Sequence, residues 1–276
     1  MDRVSLLKAA DWLAIFKDMF KYPPNLIVLE RCSSTMDIAR QVLKKDISDL
    51  QSKLILLSES PFTACFSLAQ DNGRGRRLRK WESNDSGGIY LSVACSNSIN
   101  ISSLNGFSLV IGLAIVRCLK SFDINAQLKW PNDVFVDKKK IAGVLIETIP
   151  LANGAGSQLI IGIGLNVNQE LFDQNLNATS MLLVENKPFK YEYVAAKLLR
   201  YTLEIFEEYI SKIPENCFLP FKSEWWKNSN MPGKFVENLE LKISGTAVGL
   251  SDQGALIIEN SGVLSEISVG DVGIVA

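Results

Sequence analysis

A chain of 276 residues, 47% apolar and 21% charged, is long enough for one large domain or two smaller ones and apolar enough for a substantial core. Its 29 Lys and Arg against 30 Asp and Glu exclude a general coat for nucleic acid or membrane, though not a local basic cluster. It contains no histidine, which excludes Ser-His-Asp and Cys-His catalysis, an HExxH zinc site and any imidazole acid or base.

Apolar residues at helical spacing predict a helix over residues 5–20, stopped by Pro23-Pro24. Leu26–Leu29 reads as a strand, and Ser33-Ser34-Thr35 caps a second helix through Ile38, Ala39, Val42 and Leu43. Lys53–Ser58 and Cys65–Ala69 read as strands, and the glycine-rich, basic stretch 70–88 as a long loop. Strand Ile89–Cys95 is followed by an apolar helix over 104–121. Short strands then follow at Gln127–Trp130, Val134–Val136 and Ile141–Glu147, with turns between them. Leu159–Val167 is a further strand, and 191–211 a helix with apolar residues three and four apart. Strands and helices mix without strict alternation, which indicates an α+β fold.

Composition shifts around Pro214–Gly233, so the division falls at 1–230, with the first helix inside 1–24, and 231–276. The last 44 residues lack a helical period and give short strands at 234–236, 239–243 and 255–259 between glycines, the pattern of a small barrel of about five strands. The five cysteines form no C-x-x-C pair and read as buried, reduced thiols, so no metal site is expected from them. The most apolar run, Phe107–Val116, is far short of the roughly 20 residues of a membrane span, and Met1-Asp2-Arg3 does not open a signal peptide. A soluble, cytoplasmic protein is expected.

Three segments carry the chemistry. Gln70–Trp81 holds Arg74, Arg76, Arg77, Arg79 and Lys80 against the single acid Asp71. Glycines 73 and 75 let backbone N–H groups approach an anion, and arginines offer planar forks to carboxylate or phosphate. Such cations repel one another, which predicts a mobile loop until an anion arrives. A solvated basic loop or a nonspecific nucleic-acid contact fits the same pattern. In the second segment, Lys129–Asp133 followed by Lys140, the lysine has the strand parity of Ala142, Val144 and Ile146. It therefore either snorkels at the strand end or points into a pocket. The third, Gly162-Ile163-Gly164-Leu165-Asn166, marks a close approach of backbone or ligand, or a bulge. It lacks the third glycine and following helix of a dinucleotide fingerprint.

Taken in order, these segments resemble the biotin protein ligases. The family's glycine-arginine loop corresponds to Gly73–Trp81, its Lys-Trp-Pro-Asn-Asp block to Lys129–Asp133, and its lysine strand to Lys140-Ile141-Ala142-Gly143. Gly162–Asn166, the upstream Ser34-Thr35 and the C-terminal Asp252–Leu256 complete the match. The resemblance implies a mixed-sheet catalytic domain of the biotin/lipoate ligase type over 1–230 and a small SH3-like barrel over 231–276. It implies that biotin and ATP, with Mg²⁺, form biotinyl-5′-adenylate, which then acylates a lysine of a biotin carboxyl carrier protein. Cationic donors would offset the repulsion between a carboxylate and the α-phosphate.

By the same resemblance, Ser34, Thr35, Gln70, Gly73, Arg74 and Gly143 would hold biotin. Arg76, Arg77 and Arg79 would hold phosphate, and Trp81, Asn132 and Asn166 would line the adenine side. Lys140 would bridge the biotin carboxylate and the α-phosphate, and Asp133 would receive the acceptor lysine, whose reference pKa is about 10.4. Only 32 residues precede Ser33, so no DNA-binding module of the family's repressors, and no DNA partner, is expected. Leu78 and Met36 depart from residues frequent in the family. A homodimer is compatible with the resemblance, without an interface legible in the residues. The rival readings are a lipoate or octanoyl ligase and a nucleic-acid-binding module. The first is disfavoured by the Gly-Arg-Gly-Arg loop. The second is disfavoured by the acidic 234–276 segment, with Lys234 and Lys242 against Glu237, Glu240, Asp252, Glu259, Glu266 and Asp271.

Overall fold

Thirteen strands gather into two sheets in the computed structural model, which describes residues 9–46, 54–56, 59–83, 87–212 and 218–275. The first sheet contains β1 (Asn25–Cys32), β2 (Leu54–Leu56), β3 (Phe62–Gln70), β4 (Gly88–Ile99), β5 (Gln127–Lys129), β6 (Asp133–Val136), β7 (Lys139–Pro150) and β8 (Ser157–Asn166). Its order is β2-β1-β3-β4-β8-β7-β6-β5, with β1 and β3 parallel and the remaining neighbours antiparallel. The α+β expectation is borne out. Of the expected strand Lys53–Ser58, Leu54–Leu56 is present and the other residues lie outside the described ones.

Helices α1 (Ala9–Met19), α3 (Phe107–Lys120) and α5 (Tyr191–Ile210) share one face of this sheet, and α2 (Thr35–Leu43) covers the other. Strand periodicity sorts the residues accordingly. Along β8, Leu159, Ile161, Ile163 and Leu165 enter the larger core, whereas Ile160 joins the smaller cluster under α2. Helix α3 is buried from Phe107 to Leu119 except at Ser108 and Arg117, so it forms the centre of the larger core. Ser34 caps α2 as predicted, its Oγ accepting the Met36 N–H at 3.3 Å.

Two helices lie where no element was expected. The short α4 (Met181–Glu185) is capped by Ser180. In α6 (Leu219–Lys227), Pro220 occupies the first turn, where a missing N–H costs nothing. Arg117 of α3 secures α6 through two bonds to Glu224, at 2.9 and 2.6 Å. Cys65, Cys95 and Cys118 are buried free thiols, and burial pushes Cys118 up to about 12. Cys217 lies outside the described residues.

The second sheet comprises β9 (Phe235–Asn238), β10 (Ile243–Leu250), β11 (Leu256–Asn260), β12 (Val263–Ile267) and β13 (Gly273–Ile274), in the order β12-β11-β10-β9-β13. Five antiparallel strands agree with expectation, but the sheet is open rather than closed into a barrel. Its last member has only two residues, and the end strands β12 and β13 do not pair. The expected strand 239–243 is a turn over 239–242, with Lys242 at φ 55° and the Leu241 N–H donating to Asn238 Oδ1 at 2.9 Å. The true strand contains Gly245 and Gly249, which had read as separators. Gly249 sits at a register shift, and a Cβ on Gly245 would lie 2.6 Å from the Glu259 carbonyl. The Trp130 indole N–H donates to the Gly254 carbonyl at 3.0 Å, and Lys222 pairs with Asp252 at 2.9 Å, so this sheet docks beside the first.

Phe16 is fully buried and packs against the rings of Trp12, Phe20 and Phe66. Phe16→Ala should lower unfolding stability by about 3–5 kcal/mol in urea titration. A loss below about 1 kcal/mol would show that α1 does not contribute to this core.

Candidate active site

Two rows of residues in register across three strands form the floor of a cleft. Tyr90, Gly164 and Gly143 make one row, and Ser92, Gly162 and Leu145 the other. The Trp81 ring lies against this floor. A Cβ on Gly164 would fall 2.6 Å from Trp81 Cε2, one on Gly143 2.9 Å from Cζ3, and one on Gly162 2.6 Å from Met36 Sδ. The strand glycines thus mark a close approach of side chains, not a bulge. Met36, the departure noted above, is buried on this floor. The Trp81 indole N–H is itself buried without a protein acceptor.

Loop 73–81 is closed, not open. The Gly75 N–H donates to the Arg79 carbonyl at 2.7 Å, and the Trp81 N–H to the Gly73 carbonyl at 2.9 Å. Between them Arg76–Leu78 forms a single tight turn, with Arg77 in the left-handed region at φ 56°. Gly73 is buried behind the loop, where a Cβ would lie 2.4 Å from Ser83 Oγ and 2.5 Å from the Trp81 carbonyl. The side chain of Leu78 lies outside the described residues.

The mutual repulsion expected of this loop is offset by carboxylates from elsewhere in the chain. Arg74 pairs with Asp37 of α2 at 2.8 Å. Arg77 pairs with Glu240, and Arg79 with Asp271. Arg76 also reaches Asp271, at 3.0 Å, and donates to Asn132 Oδ1 at 3.2 Å and the Gly270 carbonyl at 3.3 Å. Burial, and then the neighbouring Arg77 charge, lower the Arg76 pKa, so this guanidinium gains from any anion brought to it.

One end of the cleft is neutral and polar. Gln70 Oε1 accepts from the Thr35 backbone N–H at 2.8 Å and from its hydroxyl at 3.2 Å, and the Ser92 hydroxyl donates to Thr35 Oγ1 at 2.8 Å. Ser34, Thr35, Gln70 and Ser92 are all buried, giving hydroxyls and an amide in a dry setting.

Lys140 points into the cleft. Its Nζ lies 2.6 Å from Asp133 Oδ1 and 5.0 Å from the Trp81 ring centroid. The parity that grouped it with Ala142 and Val144 fails at a bulge. Phe135 pairs with Lys140 and Val134 with Ala142, leaving Ile141 as the extra residue. Lys140 therefore shares the cleft with Gly143, while Ala142 and Val144 stay in the core. Segment 177–179 pins its backbone, through Lys140 N–H to the Asn177 carbonyl and Thr179 N–H to the Lys140 carbonyl, each 2.9 Å. Lys129 also lines the cleft, its pKa lowered by burial.

These groups converge on one cleft of about 860 Å³, lined by every sequence-selected site residue except Gly73. The two asparagines among them donate to backbone carbonyls. Asn132 donates to the Val144 carbonyl at 2.7 Å while holding Arg76, and Asn166 donates to the Thr179 carbonyl at 2.9 Å. Sequence reasoning missed Asp37, Ser92, Glu240 and Asp271. Only the acidic balance of 234–276 hinted that the C-terminal part faces cations.

Residues 30–166 match the Biotin/lipoate A/B protein ligase family, and 238–274 match the Biotin protein ligase C terminal domain. The chain is also similar to the structure of a biotin protein ligase from Aquifex aeolicus in complex with biotin and ATP. Identity there is 31% and the TM-score 0.73, over 92% of this chain and 98% of that one. The chain belongs to the biotin protein ligase family. A bifunctional ligase/repressor BirA from Salmonella typhimurium is 30% identical over 76% of this chain. A biotin--[acetyl-CoA-carboxylase] ligase from Mycobacterium tuberculosis is 28% identical over 74% of this chain and 75% of its own length. The chain spans 66% of the length of the BirA relative. No helix among the described residues is long and apolar enough to cross a membrane.

The glycine floor is directly testable within this biotin ligase fold. Gly164→Ala must displace the indole, at an overpacking cost of about 1–3 kcal/mol. In an NMR spectrum the Trp81 indole N–H signal should move while those of the other four tryptophans hold. An unmoved signal would contradict the contact.

Proposed function

We propose that this chain is a biotin–protein ligase: it joins biotin to ATP, releasing pyrophosphate, and passes the biotinyl group from the adenylate to a lysine of a biotin carboxyl carrier protein. The observation that carries this reading is the polarity of the cleft described above. A buried neutral end formed by Ser34, Thr35, Gln70 and Ser92 suits a ureido head group. The far end gathers Lys140, Arg76 and Arg79, as a carboxylate meeting a polyanion requires. Both nucleophiles come from substrates, so the protein needs no nucleophile of its own.

In this reading Lys140 spans the biotin carboxylate and the α-phosphate, with its backbone pinned on one side and its ammonium aligned by Asp133. Arg76 and Arg79 hold phosphate oxygens, and Arg77 supports them. The Trp81 ring, seated on the glycine floor, offers its aromatic surface to the flat adenine, with Asn132 and Asn166 fixing the walls. Arg74, tied to α2, closes over biotin beside Gly143, and Gly73 lets the loop close behind it. Once substrates draw the ammonium away, the Asp133 carboxylate is released to orient and deprotonate the acceptor amine.

Among the described residues no group of three or more His, Cys, Asp or Glu side chains gathers. That fits an ion carried mainly on the triphosphate. When bound, Mg²⁺ would share the neutralisation of phosphate charge. The reading places the cleft within residues 1–230, with 231–276 as a second unit contributing its wall, and places the protein in the cytoplasm with ATP.

The test mixes the protein with MgATP, a carrier domain and either biotin or lipoate, and reads the carrier's mass. A gain with biotin supports the reading; a gain with lipoate alone, or none, overturns it. Lys140→Ala should reduce pyrophosphate release by about 10²–10³-fold with little change in melting temperature. A near-normal rate would remove Lys140 from the proposed role.

A further inference from the structure

The buried amide of Asn238 organises an acidic edge opposite the basic loop. Its Nδ2 donates to the Val269 carbonyl at 3.1 Å and its Oδ1 accepts from the Leu241 N–H at 2.9 Å. One side chain therefore fixes both the segment bearing Asp271 and the turn bearing Glu240. Gly270, at φ 96°, permits the tight packing, since a Cβ there would lie 2.6 Å from Asn238 Nδ2. The result places Asp271 with one oxygen 3.0 Å from Arg76 Nη1 and the other on Arg79 Nη2.

That bridging is the arrangement a phosphate takes between two arginines, with two anionic oxygens on one central atom and a guanidinium on each. Arg76 is partly buried and neighbours two further arginines, so leaving it without an anion would be costly. A triphosphate at the same guanidinia would in turn repel the carboxylate.

We infer that Asp271 is a positioning residue that occupies the anion site of Arg76 and Arg79 until a phosphate displaces it. This rests on the proposed role of those arginines as phosphate ligands. The loop is thus held near its binding geometry by an internal counter-ion. Nucleotide binding exchanges that counter-ion for phosphate and releases the segment 268–273 from the loop. Glu240 does the same for Arg77 at the rim, and the C-terminal sheet registers whether the phosphate site is filled.

The test measures calorimetric binding of magnesium pyrophosphate, and separately of biotin, to the wild type, Asp271→Asn and Glu237→Gln. Glu237 lines the same cleft without an arginine ion pair among the described contacts, so it controls for the loss of one negative charge. Asp271→Asn should bind pyrophosphate about three- to tenfold tighter, because the competing ion pairs are gone. Glu237→Gln should gain about twofold or less. Asp271→Asn binding no tighter than Glu237→Gln, or more weakly than the wild type, overturns the inference.

Hydrogen exchange on the wild-type protein decides the matter should Asp271→Asn not fold. Pyrophosphate should speed exchange at 268–273 while slowing it at 74–80, and unchanged or slower exchange at 268–273 overturns the exchange of partners. Wild type binding both probes, with Asp271→Asn matching the control, defeats this inference alone. Wild type binding neither defeats the proposed function along with it.

Discussion

The approach of the Trp81 ring to backbone is the contact around which the site is built. An aromatic ring can approach sheet backbone this closely only where the strands beneath it lack Cβ atoms, and Gly143 and Gly164 stand side by side on adjacent strands there. With the ring seated there, the loop before it must turn back sharply, which the Trp81–Gly73 hydrogen bond accomplishes. The closed loop then presents its arginines across the cleft from Lys140. The ring also gives the Lys140 ammonium a π face, at 5.0 Å, beside the Asp133 carboxylate. Floor, loop and central cation are consequences of one packing arrangement.

Much of this was legible in the sequence where the signal is local. The capping serine of α2, the apolar strand β8 and the apolar α3 follow from short-range patterns, and the structure contains them. The glycine pair 162 and 164 announced a close approach, but its occupants, Met36 and Trp81, lie far away in the chain and no pattern in β8 names them. Lys140 is instructive, because it does point into the cleft although its parity does not explain why. Period-two parity gave it the side of Ala142 and Val144 and left snorkelling or a pocket open, and the bulge at Ile141 reverses that parity. A bulge exists only relative to a partner strand, so a strand read alone cannot display it. Similarly, Leu239 and Leu241 alternate with charged residues as a strand would, but Asn238 turns the backbone there.

Electrostatics shows the same division between local and distant information. The excess of positive charge in 70–81 is evident in the sequence, as is the acidic balance of 234–276, yet neither predicts their meeting. Folding brings in Asp37, Glu240 and Asp271, so that each of the four arginines of the loop meets a carboxylate, Asp271 serving two of them.

Because those counter-ions lie partly in the second sheet, that sheet is part of the site and not an appendage. Its position depends on a few contacts: the Trp130 indole on the Gly254 carbonyl, Lys222 on Asp252, and the 228–230 backbone paired with Leu128 of β5. Trp130 belongs to the same short block that supplies Asn132 and Asp133 to the cleft. One turn thus anchors the second sheet through its first members and aligns Arg76 and Lys140 through its last. A change that loosens the docking of the second sheet acts on the arginine loop from both directions, through the lost carboxylates and through the turn that holds Asn132. The chain has no histidine, so the charge at this cleft is set by arginines and lysines and by the carboxylates placed against them.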